Sequence, residues 1–190
     1  IEFFSRDPAM GTQDNFYTAR LILRRPDAGD AEAIFERYAA DPVVTRYLSW
    51  PMHRSLEDTR VFLKWSDAEW EKWPSGPLLV FSRDDGRLLG GTGLSFRSAT
   101  EAVTGYVFAR AAWGQGYATE STRAMVDLAR ELGIKRLEAI CHVDHRPSAH
   151  VLEKSGFGLE TIRRRDTEFP NLSPGGKCDV LVYVRTFADG

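Results

Sequence analysis

Between Val103 and Leu132 the chain runs from a β-forming stretch through two closely spaced glycines into an amphipathic helical pattern, and no other segment restricts the fold as tightly. Val103, Tyr106, Val107 and Phe108 favour a strand, and Gly114 and Gly116, two residues apart, interrupt any ladder, so the strand is expected to end near Ala109. From Ala118 the apolar residues Ala118, Met125, Ala129 and Leu132, widened by Val126 and Leu128, share one helix face, while Glu120, Arg123, Asp127, Arg130 and Glu131 take the other. Gly133 is the expected stop. A helix start leaves backbone N–H groups unpaired at the positive end of its dipole, so Gly114 to Thr119 can present consecutive donors to an anion. The two glycines would allow close approach, although a purely structural turn uses the same residues.

Other phosphate-binding patterns fail on the letters. No Gly-x-x-x-x-Gly-Lys-Ser/Thr sequence is present, which argues against a nucleotide-hydrolysing P-loop. Gly91-Thr92-Gly93-Leu94-Ser95-Phe96 opens like a dinucleotide fingerprint but carries Phe96 where the third glycine belongs.

Upstream, Leu21 and Leu23 alternate with Arg20, Ile22 and Arg24 as a first strand, and Asp30 is placed to cap a helix carrying Ile34, Phe35 and Tyr38. Ser55 and Asp58 form a capping box ahead of Val61, Phe62, Trp65 and Ala68, a second helix expected to end near Trp73-Pro74. Trp50, Trp65, Trp70 and Trp73 crowd this region as core or as a domain surface. Leu78 to Arg83 and Leu88 to Phe96 flank Asp84-Asp85-Gly86-Arg87, whose Asp-Gly pair predicts an antiparallel hairpin. The strand at Tyr106 is its next neighbour, and the helix after it returns to Arg136 to Val143 through a parallel crossover. Pro147 suits the first turn of a further helix with Ala149, Val151 and Leu152 on its apolar side, and Gly156 is a left-handed stop that folds Phe157 back near Leu152. Phe169 to Lys177 is a proline- and glycine-rich loop between two final antiparallel strands, the last burying Val180, Val182 and Val184. Arg163, Arg164 and Arg165 read as a solvated face.

Hydrophobic residues make up 43% of the 190, enough for one domain with a substantial core. Residues 15–190 are predicted to form it, while Ile1 to Pro8 reads as sequence foreign to the domain, with Met10 as a native start and residues 1–14 disordered or appended. A formal charge of −2 gives no basic field for nucleic acid or membrane surfaces. No apolar run reaches spanning length, no signal organisation is present, and the expected location is cytoplasmic. Cys141 and Cys178 are expected as reduced thiols. Cys141, His142, Asp144, His145 and His150 match no zinc spacing, because alternation sends Cys141 and His142 to opposite strand faces; no metal is expected.

Two ordered motifs carry a family resemblance. Trp113-Gly114-Gln115-Gly116-Tyr117-Ala118 resembles the acetyl-CoA pyrophosphate loop of the GCN5-related N-acetyltransferases (GNAT family), and WGQGYATE followed by HRPSAHVLEKSGF is similar to its RimJ/RimL-like branch of ribosomal-protein N-terminal acetyltransferases. The likeness covers roughly Thr18 to Phe187. It implies a mixed α/β (α+β) fold with a splayed, mostly antiparallel sheet, acetyl-CoA as co-substrate, and a primary amine as acceptor, either a protein N-terminus or a small molecule. It also implies that Gly114 to Thr119, with Trp113, hold the pyrophosphate, while pantetheine enters a gap between the central strands. There the backbone of Phe108, Ala109 and Arg110, together with His145, Ser148 and Leu152, would contact it. Tyr47 and Trp50 would line the acceptor side, with the Phe169 to Lys177 loop covering it. A monomer or homodimer is expected.

Direct acetyl transfer needs a neutral amine, a stabilised oxyanion and a proton for the leaving thiolate. Ser148 is the candidate donor to that thiolate, although a helix N-terminal serine also bonds its own backbone. The resembled family often places a tyrosine one turn later, where this chain has Leu152, so Tyr106 or water substitutes. His145 replaces the asparagine of the usual Asn-x-x-Ser; a neutral imidazole likewise offers a donor and an acceptor. Glu101 and Asp144 are candidate bases, since Val103 occupies the position where the branch often carries a strand glutamate. A free α-amine, with reference pKa about 8 against about 10.4 for lysine, needs less help. The different-class alternative is a CoA-binding sensor or interaction module without transfer chemistry.

Overall fold

The computed structural model describes residues 15–188; the predictions for the N-terminal segment 1–14 lie outside it. Eight strands form one sheet in the order β1-β2-β3-β4-β5-β6-β8-β7. They are β1 (Asn15–Tyr17), β2 (Leu21–Arg24), β3 (Pro77–Ser82), β4 (Leu88–Phe96), β5 (Glu101–Phe108), β6 (Arg136–His142), β7 (Gly158–Glu168) and β8 (Lys177–Thr186). All neighbours pair antiparallel except β5 and β6, as the strand–helix–strand connection requires. The α-helices are α1 (Ala31–Ile34), α2 (Pro42–Thr45), α3 (Leu56–Lys72), α4 (Tyr117–Glu131) and α5 (Arg146–Lys154). No described helix is long and apolar enough to cross a membrane.

Side-chain alternation along β5 divides the interior into two layers. Phe108 belongs to the core that α4 and α5 build with Met125, Leu128, Leu137, Leu152 and Phe157. Val107 faces the other way, into the core of Ile34, Tyr38, Leu63 and Leu79 under α1 and α3. A third, smaller core gathers Phe169, Val180 and Val182. The last strand therefore buries its valine face as expected, but its other face is also covered. Tyr183 is 2% exposed, and its hydroxyl donates to Glu153 of α5 at 2.8 Å.

Three expectations need correction. Asp27, not Asp30, accepts the capping bond, from Gly29 N. Asp30 instead reaches back to the Asp27 N–H and takes a two-pronged ion pair from Arg24, at 2.6 and 2.8 Å. The helix it opens is not uniform: a 3-10 turn (Ala28–Asp30) runs into α1 and then into a π-helical turn (Phe35–Ala39). The Arg163 to Arg165 run is not simply solvated, since Arg163 pairs with buried Glu138 and Arg164 with Asp179.

Candidate active site

The two central parallel strands are paired over only three residues each, Glu101 to Val103 against Arg136 to Glu138, although both continue for several more. Beyond that point they diverge, and helices α4 and α5 begin at the ends of the parted strands. The backbone of Ala109 donates to Leu89 on β4 at 2.8 Å. By alternation, Thr104, Tyr106 and Phe108 turn their backbone groups toward the gap. This corrects the strand assignment: Ala109 spends its N–H on β4, its carbonyl accepts from Ala112 N, and Arg110's carbonyl accepts from Trp113 N. The Arg110 side chain is committed to Asp41 at 2.7 Å. Trp113 also folds back, its indole N–H donating to the Phe108 carbonyl at 2.7 Å.

At the open end, Gly114 and Gly116 adopt φ of 73° and 80°, conformations that glycine reaches without a steric penalty. Gly116 is the N-cap of α4, and no side chain caps that terminus. Tyr117, Ala118 and Thr119 form the first turn. The loop is braced from across the sheet. Glu120 accepts from Thr18 Oγ1, Arg20 N and Arg20 Nε at 2.6, 2.9 and 2.7 Å, and Arg20 Nη1 donates to the Gln115 carbonyl. The Gln115 amide itself donates to Ala111. Sequence reading missed this brace, which joins residues about a hundred positions apart.

A cavity of about 1150 Å³ opens between β5 and β6 and continues under α3. Tyr106, His145, Ser148 and Leu152 line one part, and Tyr47, Trp50, His53, Phe62 and Trp65 another, so the structure unites most of the predicted central and acceptor residues. Gly105 faces this space, and a Cβ there would touch nothing within 4 Å. Phe169, Pro170, Asn171 and Pro174 bring the β7–β8 loop over the same cavity. Asn171 fastens it there, donating to the carbonyls of Thr45 and Trp50 and accepting from Met52 N at 2.8 to 2.9 Å. Neither Asn171 nor His53 stood out in the sequence, because each acquires its place only through the fold.

Within the cavity, the Tyr106 hydroxyl donates to Ser148 Oγ at 3.1 Å. Burial pushes the Tyr106 phenol up to about 12, so at neutral pH it remains a donor. Ser148 also bonds the Cys141 thiol, which burial pushes up to about 11. The His145 ring stacks on Tyr47 at 4.5 Å between centroids; burial, then the neighbouring His142, lower its pKa. His53 Nδ1 bonds Thr59 Oγ1 at 2.8 Å, and burial lowers its pKa. Glu101 does not join this group. It is exposed at the first position of β5, about 16 Å of strand rise from Tyr106, and is withdrawn as a catalytic candidate. Asp144 is also turned away, its carboxylate lying 3.8 Å from His142. Among the described residues no cluster of His, Cys, Asp and Glu could hold a metal.

The sequence profile of the acetyltransferase (GNAT) domain matches residues 20–158, from β2 through α5. The chain belongs to the GNAT acetyltransferase family. The uncharacterized N-acetyltransferase YoaA of Bacillus subtilis is 30% identical over 151 residues, covering 78% of this chain and 85% of its own length. Among solved structures, the microcin C7 self-immunity acetyltransferase MccE, in complex with acetyl-CoA and AMP, superposes with a TM-score of 0.82 at 18% identity, over 93% of this chain and 98% of that one. A Salmonella typhimurium acetyltransferase that modifies the N-terminal serine of ribosomal protein L7/L12 gives 0.78 at 22%, over 90% and 97%. At those identities the two structures establish the shared GNAT fold. The chain is thus an acetyltransferase of this family.

Proposed function

We propose that this GNAT enzyme moves an acetyl group from acetyl-CoA to a primary amine by direct attack, the acceptor being a protein N-terminal α-amine or a small-molecule amine. The observation that carries the reading is the parting of β5 and β6 after three paired residues around a cavity that contains Tyr106 and Ser148. The gap fits an extended amide-bearing arm. The backbone edge of Thr104 and Tyr106, with the N–H of Phe108, offers strand-type hydrogen bonds to it, in the manner of an added strand. The uncapped start of α4, with Gly114 to Thr119, suits the pyrophosphate. When bound, acetyl-CoA supplies an activated acyl group and a thiolate leaving group.

The chain's own residues do the rest. Tyr106 holds its proton and donates it toward Ser148, which places a polarised hydroxyl where a thiolate must be quenched. Tyr47, Trp50, Phe62 and Trp65 exclude water on the acceptor side, and Asn171 holds the segment bearing Tyr47 and Trp50 in place. Support for an α-amine acceptor comes from the Salmonella neighbour, which modifies an N-terminal serine, and from the cavity's lack of a free carboxylate to draw a proton from a more basic lysine.

Calorimetric titration with acetyl-CoA, followed by thiol release against a panel of N-terminal peptides and small amines, tests this. Saturable binding and amine-dependent thiol release are expected. Binding without release for any amine would leave a CoA-binding module, and no binding to folded protein would sink the reading.

A further inference from the structure

We propose that His145 is the base that takes the acceptor's proton, a role that rests on the acetyl-transfer reading above and names the group that reading lacks. The cavity leaves few choices. Among the described residues its one lining carboxylate, Asp58, is a helix cap whose Oδ2 accepts from the N–H groups of Arg54 and Ser55 at 2.8 and 3.0 Å. Glu101 lies outside it. Tyr106 and Cys141 keep their protons to about 12 and about 11, and are too seldom ionised to serve near pH 7.

Two imidazoles remain. His53 is tied through Nδ1 to Thr59 and packs against Trp50, on the wall nearest α3. His145 stands at the start of α5, three residues before Ser148. Its side chain does not cap the helix, and among the described residues neither ring nitrogen has a hydrogen-bond partner. The ring is held instead by its stack on Tyr47, with an interplanar angle of 16°. The ring therefore lies against the acceptor wall, and its residue precedes Ser148 by one helical turn, with both nitrogens available.

Tyr47 of the α2–α3 segment stacks on His145 and His142 of β6 acts on it, while Tyr106 of β5 and Cys141 of β6 line the same cavity. The Asp144 carboxylate lies 3.8 Å from His142 Nδ1. Burial and His142 keep the His145 imidazole neutral above a pKa lower than the ordinary 6.5, so it can accept a proton at pH 7. The protons balance. One leaves the ammonium for His145 and passes to solvent; the nitrogen's freed pair forms the C–N bond as the C–S bond breaks with its pair on sulfur. The second proton, shed as the amide forms, replaces the one that Ser148 and Tyr106 deliver to sulfur.

His145→Asn tests this, because the amide can still donate and accept hydrogen bonds but cannot titrate. Three readouts on the full chain separate the outcomes: acetyl-CoA affinity by calorimetry, kcat at saturating amine between about pH 5.5 and 9, and the imidazole NMR titration of the free protein. The variant is expected to bind acetyl-CoA within about twofold of the parent and to lose about 100-fold in kcat. The parent's acid limb in kcat, matching the midpoint of the NMR signal absent from the variant, should vanish. An unchanged profile overturns the proposal, as does loss of the limb in His53→Asn instead. His145→Gln, read the same way, covers a misfolded Asn variant. A parent that fails to bind acetyl-CoA overturns the acetyl-transfer reading itself, a result visible before any variant is made.

Discussion

Tyr106 and Ser148 share one hydrogen bond but carry unequal duties. In the proposed reaction Ser148 would reach the thiol side through its own hydroxyl, whereas Tyr106 would act through Ser148. Ser148→Ala is expected to lower kcat about 100-fold and Tyr106→Phe about tenfold, with acetyl-CoA affinity within about twofold in both. Equal turnover of Ser148→Ala and parent on a true substrate would make the serine structural. At this scale the sequence was legible where local chemistry fixed the backbone, as with the two positive-φ glycines, Gly114 and Gly116. Glu101 was a candidate for its place at the start of the central strand, which the structure sets far along that strand from Tyr106. The sequence was silent on Asn171, whose three hydrogen bonds span more than a hundred residues.

Among the elements, the turn into α4 is the most exacting. Gly116 sits at φ 80°, and a Cβ there would approach Arg20 Nη2 to 3.4 Å. Gly116→Val should therefore destabilise the fold by about 1–2 kcal/mol through left-handed strain and weaken acetyl-CoA binding at least tenfold by tilting the donors of the first turn. Denaturant unfolding and calorimetry on one preparation read both effects, and unchanged affinity would remove the loop from the site. Element positions were largely readable. The strand at Leu88 to Phe96 and the box of Ser55 with Asp58 appear where the letters put them, because turn and cap chemistry is local. The Asp27 cap was harder to read, since two aspartates three apart both satisfy the pattern and only the Arg24 ion pair decides between them.

Over the whole molecule, one buried carboxylate fastens the two halves of the sheet. Glu138, 2% exposed, meets Arg97 beyond β4, Arg136 on its own strand and Arg163 on β7 at 2.8 to 3.6 Å. Burial opposes its ionisation, but Arg163 and Arg97 outweigh it and hold its pKa below the ordinary 4.5. With the folded value below the unfolded one, the stabilisation is present above about pH 4.5 and drains away as pH falls through the folded value. Glu138→Gln should cost about 2 kcal/mol at pH 7 and flatten that acid loss, as denaturant midpoints at neutral and acid pH would show. A parallel loss in parent and variant would refute it. The family resemblance implied the fold class but not this cluster, which no local pattern encodes.

The sheet's order also bears on how the protein is made. The strand joining β6 to β7 is β8, which follows both in the chain, while the residues assigned to the site all precede Lys177. A growing polypeptide will thus expose the edges of two strands until β8 clears the ribosome, the period in which a chaperone has most to shield. A stop codon just before Lys177 should behave as a complete loss of function, even though it would spare the whole proposed catalytic apparatus.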